Sequence, residues 1–135
     1  MIDVQLSRVV LRSGTDHQYI YLSERGGVRV FPIMIGNSEA NEIHRVIHDQ
    51  DAARPLTHQL THNLVQALGG KIKHVDITGL RENTFFASIS ILTAQDVEVQ
   101  LDARPSDAIA LALRARAPLR VAEEIFSLAA DQDDE

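Results

Sequence analysis

The chain of 135 residues contains no cysteine, which excludes disulfides and thiolate chemistry. No apolar run is long enough to span a bilayer. The first residues, with Asp3 and no apolar h-region, do not read as a signal peptide, so a cytoplasmic protein is expected. Basic residues are scarce as well: 13 Lys and Arg stand against 19 Asp and Glu, a net charge of −6. Four of those acids (Asp131, Asp133, Asp134 and Glu135) lie in the last five residues, and removing their charge from −6 leaves −2 for residues 1–130. That is not the basic footprint of a chain that grips nucleic acid by its phosphates. Any such chemistry must rest on a local patch or on metal ions. A phosphate loop, a dinucleotide fingerprint and a G-x-S-x-G elbow are all missing too, so nucleophilic catalysis has no candidate with a positioned base.

What is present suits one soluble globular domain: 44% hydrophobic and 24% charged residues over a length that can bury a core. We expect that domain over residues 1–130, followed by a solvated, disordered acidic tail at 131–135. Val4–Leu11 is β-rich but its phase slips, since Val4 and Leu6 share one parity and Val9 and Leu11 the other. This implies a strand with a bulge near Ser7–Arg8. Strands follow at His17–Ser23 and Val28–Ile35. The latter is apolar on both faces, so it should be covered on both sides, and Pro32 suggests an edge or bulge. A helix then opens at Gly36-Asn37-Ser38, with Ala40, Ile43, Val46 and Ile47 on one stripe. A second is capped by Thr57, carries Leu60, Leu64, Ala67 and Leu68 on its packing face, and stops at Gly69-Gly70. Strands at Ile72–Leu80, Thr84–Thr93 and Asp96–Leu101, an Ala-rich helix, Ala117-Pro118 and a helix over Ala122–Ala130 complete the chain.

The order is thus βββαα twice, an α+β protein whose largely antiparallel sheet packs with helices. The halves rhyme at an offset of 68 residues: Ile35-Gly36-Asn37-Ser38-Glu39-Ala40 falls on Ala103-Arg104-Pro105-Ser106-Asp107-Ala108. Phe31 and Ile33 then fall on Val99 and Leu101, and Tyr19 and Tyr21 on Ala87 and Ile89, which points to a pseudo-duplication.

The stretch Asp102–Arg114 organises the rest. Pro105 fixes a backbone dihedral, Ser106 can cap the first turn, and Asp107 complements the positive end of the helix dipole. Ala108–Leu113 is apolar all round the helix, so sheet, helices or a second subunit must cover it. Asp102 and Arg104 either pair to tie the joint down or line a site there. Arg54, delivered by Pro55 just before a helix N-terminus, suits an anion site with His58 in the first turn. It is equally suited to pairing with Asp49, Asp51, Asp102 or Asp107. His44 with His48, and His58 with His62, have zinc-like i, i+4 spacing but lie off the apolar stripes, so they are expected in solvent.

Three motifs carry a family resemblance. Pro32-Ile33-Met34-Ile35-Gly36 with Glu39-Ala40, then Arg54-Pro55-Leu56-Thr57-His58, then Asp102 through Ala112, taken in that order, resemble the bifunctional nuclease domain family over roughly Val4–Ile125. The resemblance implies a nuclease acting on DNA and RNA, and its polar motif positions are Glu39, Arg54, His58, Asp102, Arg104 and Asp107. On that basis Glu39, Asp102 and Asp107 are expected to hold Mg²⁺ or Mn²⁺ and activate water. Arg54 and Arg104 would neutralise the scissile phosphate, with His58 as general acid or base. The different-class alternative is a non-catalytic homo-oligomeric module that binds an anionic ligand or protein partner through the same arginines.

Overall fold

The computed structural model describes residues 1–133. Its strands are β1 (Ile2–Val10), β2 (Gln18–Glu24), β3 (Val30–Ile35), β4 (Lys71–Arg81), β5 (Thr84–Leu92), β6 (Glu98–Ala103) and β7 (Leu119–Val121). Its helices are α1 (Asn37–Ile47), α2 (Thr57–Ala67), α3 (Pro105–Ala115) and α4 (Glu123–Asp133). The strands form one seven-stranded sheet in the order β3-β2-β1-β7-β4-β5-β6. Every pairing is antiparallel except β4 with β7. The fold is therefore α+β, as the sequence suggests.

Two three-stranded meanders flank β7, a three-residue strand just after Pro118 that the pattern of the sequence does not announce. The 68-residue offset holds for the elements around the joint: it carries β3 onto β6 and α1 onto α3 from end to end. It fails by one residue in β2. Ile33 pairs with Ile20 and Leu101 with Ile89, so the core face of β2 (Gln18, Ile20, Leu22) maps onto β5 at 69. Tyr19 and Tyr21 face away from the core. The bulge in β1 is where the phase slip puts it, between Leu6 and Arg8.

Helices cover one face of the sheet. α3 lies innermost, in contact with α1, α2, β4 and β5. Ala108 to Ala112 are all buried, so small side chains let α3 nest where a larger residue would not fit. Ala110 has no exposed surface; Ala110→Leu should overpack it and cost roughly 1–3 kcal/mol in denaturant melts.

Several expectations need correction. β3 is an edge strand, as Pro32 suggests, but it is covered on one side only. Phe31, Ile33 and Ile35 are buried while Val30 and Met34 are exposed. α2 presents the opposite face from the one expected, since Leu60, Leu64 and Leu68 are 51%, 54% and 79% exposed. Its inward face carries His58, His62 and Val65, and no residue of α2 is fully buried. Periodicity shows which residues share a face; here polar contacts with α3 decide which face turns in. Gly36 stands at the N-cap of α1 within the expected Gly36-Asn37-Ser38, but the other two caps shift: Leu56 and Arg104 hold the N-cap positions in place of Thr57 and Ser106, and Ser106 is a buried residue of the first turn of α3. α4 runs through Asp133, past the expected end at Ala130, so the tail expected from residue 131 begins as helix. Asp134 and Glu135 lie outside the described residues.

Candidate functional site

Three helices begin at one place. Glu39 stands in the first turn of α1, His58 in the first turn of α2 and Asp107 in the first turn of α3, with Arg104 at the α3 N-cap. Their side chains meet. His58 Nε2 lies 2.8 Å from Asp107 Oδ1. Arg104 donates from Nε to Asp107 Oδ2 at 3.0 Å and from Nη2 to Glu39 Oε1 at 3.0 Å. Three helix N-termini add partial positive charge around these two carboxylates, a setting that favours anions.

Local sequence explains each placement. Pro105 at the first helical position starts α3 immediately after β6, which fixes Arg104 in extended backbone beside the sheet. Gly36, in extended backbone at the N-cap of α1, acts by its lack of a side chain. A Cβ there would lie 2.6 Å from Glu39 Oε2, so the glycine leaves room for the carboxylate to fold back toward Arg104. Asn37 is held by the buried Gln18 side chain at 2.7 Å, which anchors the start of α1 to β2.

The charges are balanced rather than idle. Burial pushes the Asp107 carboxyl up, but hydrogen bonds from Arg104 and His58 outweigh it and hold the group below its ordinary value. Arg104 is pushed up by its bonds to Asp107 and then Glu39. It is nevertheless 66% exposed, and its Nη1 makes no hydrogen bond among the described residues, which leaves two donors available to a partner. Recesses of about 330 and 320 Å³ flank the cluster. One is lined by Gly36, Asn83, Arg104 and Pro105; the other by Ser38, Arg45, Thr57 and His58.

Below the second recess lies a residue that the sequence reading missed. Glu42, 1% exposed, accepts bonds from Arg114 at 2.6 Å and from Arg45 at 2.9 Å, tying α1 to α3 beneath the cluster. A signal for it was present. Arg114 closes the apolar run of α3, and a guanidinium placed there needs a carboxylate.

Of the six expected site residues, four converge and two do not. Asp102 pairs with Ser88, between Ala87–Ala103 and Ile89–Leu101, whose side chains face the core. Alternation along the strand turns Asp102 to the opposite face of the sheet from α3, where it lines a separate recess of about 610 Å³ with Gly79, Phe86 and Glu124 of α4. Arg54 is exposed in the connector before α2 and makes no ion pair among the described residues. Because Asp102 faces away from the helix-end cluster, Arg54, Asp102 and Arg104 do not line one cleft. Nor do Glu39, Asp102 and Asp107 assemble a set of ligands for Mg²⁺ or Mn²⁺. Arg104 binds Glu39 and Asp107 both, Asp102 faces away, and no group of three His, Asp or Glu among the described residues is placed to hold an ion. The histidine expectations divide. His48 is exposed as expected, while His44 is half-buried, its ring tilted against that of His48 with centroids 4.2 Å apart. His62 is also half-buried, and burial and then the Arg114 charge push its pKa down.

Comparison with known proteins agrees with the motif reading. A family model described as the bifunctional nuclease domain matches residues 20–133. An uncharacterized protein of Mycobacterium tuberculosis is 35% identical over the whole of this chain and 82% of its own length. Bifunctional nuclease 2 of Arabidopsis thaliana is 28% identical over 78% of this chain, and bifunctional nuclease 1 of Oryza sativa subsp. indica 24% over 85%. The matches span only 33% and 36% of those plant proteins.

Proposed function

The chain belongs to the bifunctional nuclease domain family, and from that premise we propose that it hydrolyses phosphodiester bonds of DNA and RNA at the cluster of Glu39, His58, Arg104 and Asp107. The observation that carries this reading is the His58–Asp107 contact at a meeting of three helix N-termini. Asp107, held ionised, accepts the Nε2 proton of His58, which fixes the tautomer with Nδ1 as the free base. Nδ1 then takes a proton from the attacking water as its oxygen bonds to phosphorus. The bond to the leaving oxygen breaks, and that oxygen acquires a proton from solvent or from the imidazolium. Arg104 Nη1 and the helix amides stabilise the charge that builds on the non-bridging oxygens. Glu39 holds Arg104 in position. Arg54, exposed two residues before Leu56, serves the flanking phosphates of a bound strand.

No step here runs through a metal ion, because the side chains present do not form the expected ligand set. The acidic balance of the chain suits this local patch better than an extended basic groove. No helix among the described residues is long and apolar enough to cross a membrane, and we read the protein as a cytoplasmic homo-oligomer. Cleavage of labelled DNA and RNA by scrupulously pure protein, lost in His58→Gln, tests the assignment. Binding of phosphate ligands without turnover would instead favour the non-catalytic module.

A further inference from the structure

We propose that β6 pairs antiparallel with β6 of a second copy of this chain, centred on Leu101, so that two sheets join edge to edge. This rests on the homo-oligomeric reading above and names its surface. The two edges of the sheet are treated differently. The β3 edge carries Pro32, a residue that blunts strand pairing, whereas β6 reads Glu98-Val-Gln-Leu-Asp-Ala103 without one. Among the described residues nothing pairs with the outer side of β6. Its core-facing side chains Val99 and Leu101 are 38% and 46% exposed, an apolar layer cut off in mid-course.

The backbone phase leaves the right groups free. Thr93 N–H donates to the Val97 carbonyl at 2.9 Å, so Val97 and, by alternation, Val99 and Leu101 direct their polar groups at β5. Glu98, Gln100 and Asp102 therefore turn N–H and C=O outward. A two-fold antiparallel pair that keeps core faces together and matches five residues of β6 can centre on Gln100 or on Leu101; centring on Val99 or Asp102 matches only three. Centring on Gln100 sets Glu98 against Asp102 twice, a pairing of carboxylates that the exposed Lys73 contact of Glu98 at 3.2 Å only partly offsets. Centring on Leu101 sets Gln100 against Asp102 twice, an amide donor against a carboxylate. It also places Leu101 on Leu101 and Val99 on Ala103, which continues the apolar layer. The strand thus supplies its own complement, and Asp102, which has no place in the helix-end cluster, gains a partner.

Sedimentation equilibrium of the full chain tests this with three variants. The wild type should self-associate. Gln100→Lys should tighten the dimer and Gln100→Glu should weaken it, each by roughly 2- to 30-fold in Kd from two symmetric cross-strand pairs. Leu64→Lys, on the exposed face of α2, should leave Kd unchanged. A dimer indifferent to both Gln100 variants, or one broken by Leu64→Lys, overturns the β6 assignment while leaving the homo-oligomer standing. A monomer at every concentration overturns both. None of these outcomes bears on cleavage by the helix-end cluster.

Discussion

Glu42→Ala should be the most destabilising single change at the helix layer, by about 3–5 kcal/mol, because it leaves the buried Arg114 guanidinium with only the longer contact to Asp51 at 3.4 Å. The Arg114 side chain is 12% exposed, and Asp51, itself 60% exposed, cannot replace the short bond to Glu42. Arg45, 29% exposed, can turn outward; Arg114 cannot follow without opening the contact between α1 and α3. Urea melts of the two proteins measure the difference. A loss under 1 kcal/mol would mean that the pair is solvated and contributes little.

The same pair sets an acid limb. Burial raises the Glu42 carboxyl, but the hydrogen bonds of Arg114 and then Arg45 reverse that and leave it below its ordinary value. A group depressed in the folded state contributes stability fully above its unfolded pKa, about 4.3 for glutamate. That contribution drains away as pH falls through the folded value. Melts of Glu42→Ala should therefore depend less on pH below about 4.3 than melts of the wild type.

His58→Gln should lower cleavage by about 10²- to 10⁴-fold while leaving the melting temperature within a few degrees of the wild type. Glutamine can keep a hydrogen bond to Asp107 but offers no titratable nitrogen to the attacking water. Asp107→Asn should fall in the same range for another reason: the amide no longer fixes the tautomer of His58, so its Nδ1 is not reliably the base. If Asp107→Asn were fully active, orientation of His58 by Asp107 would play no part in the chemistry.

The sequence made some of this visible and hid the rest for identifiable reasons. The bulge near Ser7–Arg8 was legible because a phase slip in a strand has few other causes. The burial of α3 was legible because no face of Ala108–Leu113 is polar. β7 was not, since three residues after a proline carry no periodicity. The orientation of α2 reads wrongly from its leucine stripe, because the His58–Asp107 bond lies on the other face. Within the site, Glu39, His58, Arg104 and Asp107 sat in motifs and could be named. Asp102 shares the third motif with Arg104 and Asp107, but membership of a motif does not set the face on which a strand residue lies. The shared parity of Val99, Leu101 and Ala103 already implied that Asp102 points the other way, and reading that alternation through to the joint would have separated it.

That separation offers the sharpest test. Pure wild type, His58→Gln and Asp102→Ala should be assayed side by side on labelled DNA and RNA, in Mg²⁺, in Mn²⁺ and in EDTA. The assays should be run at a protein concentration where all three sediment alike. With catalysis at the helix-end cluster, His58→Gln loses cleavage in every condition where the wild type is active, and Asp102→Ala retains it within a few fold. Loss of cleavage in Asp102→Ala with His58→Gln still active would contradict that placement and move the chemistry to the open face of the sheet.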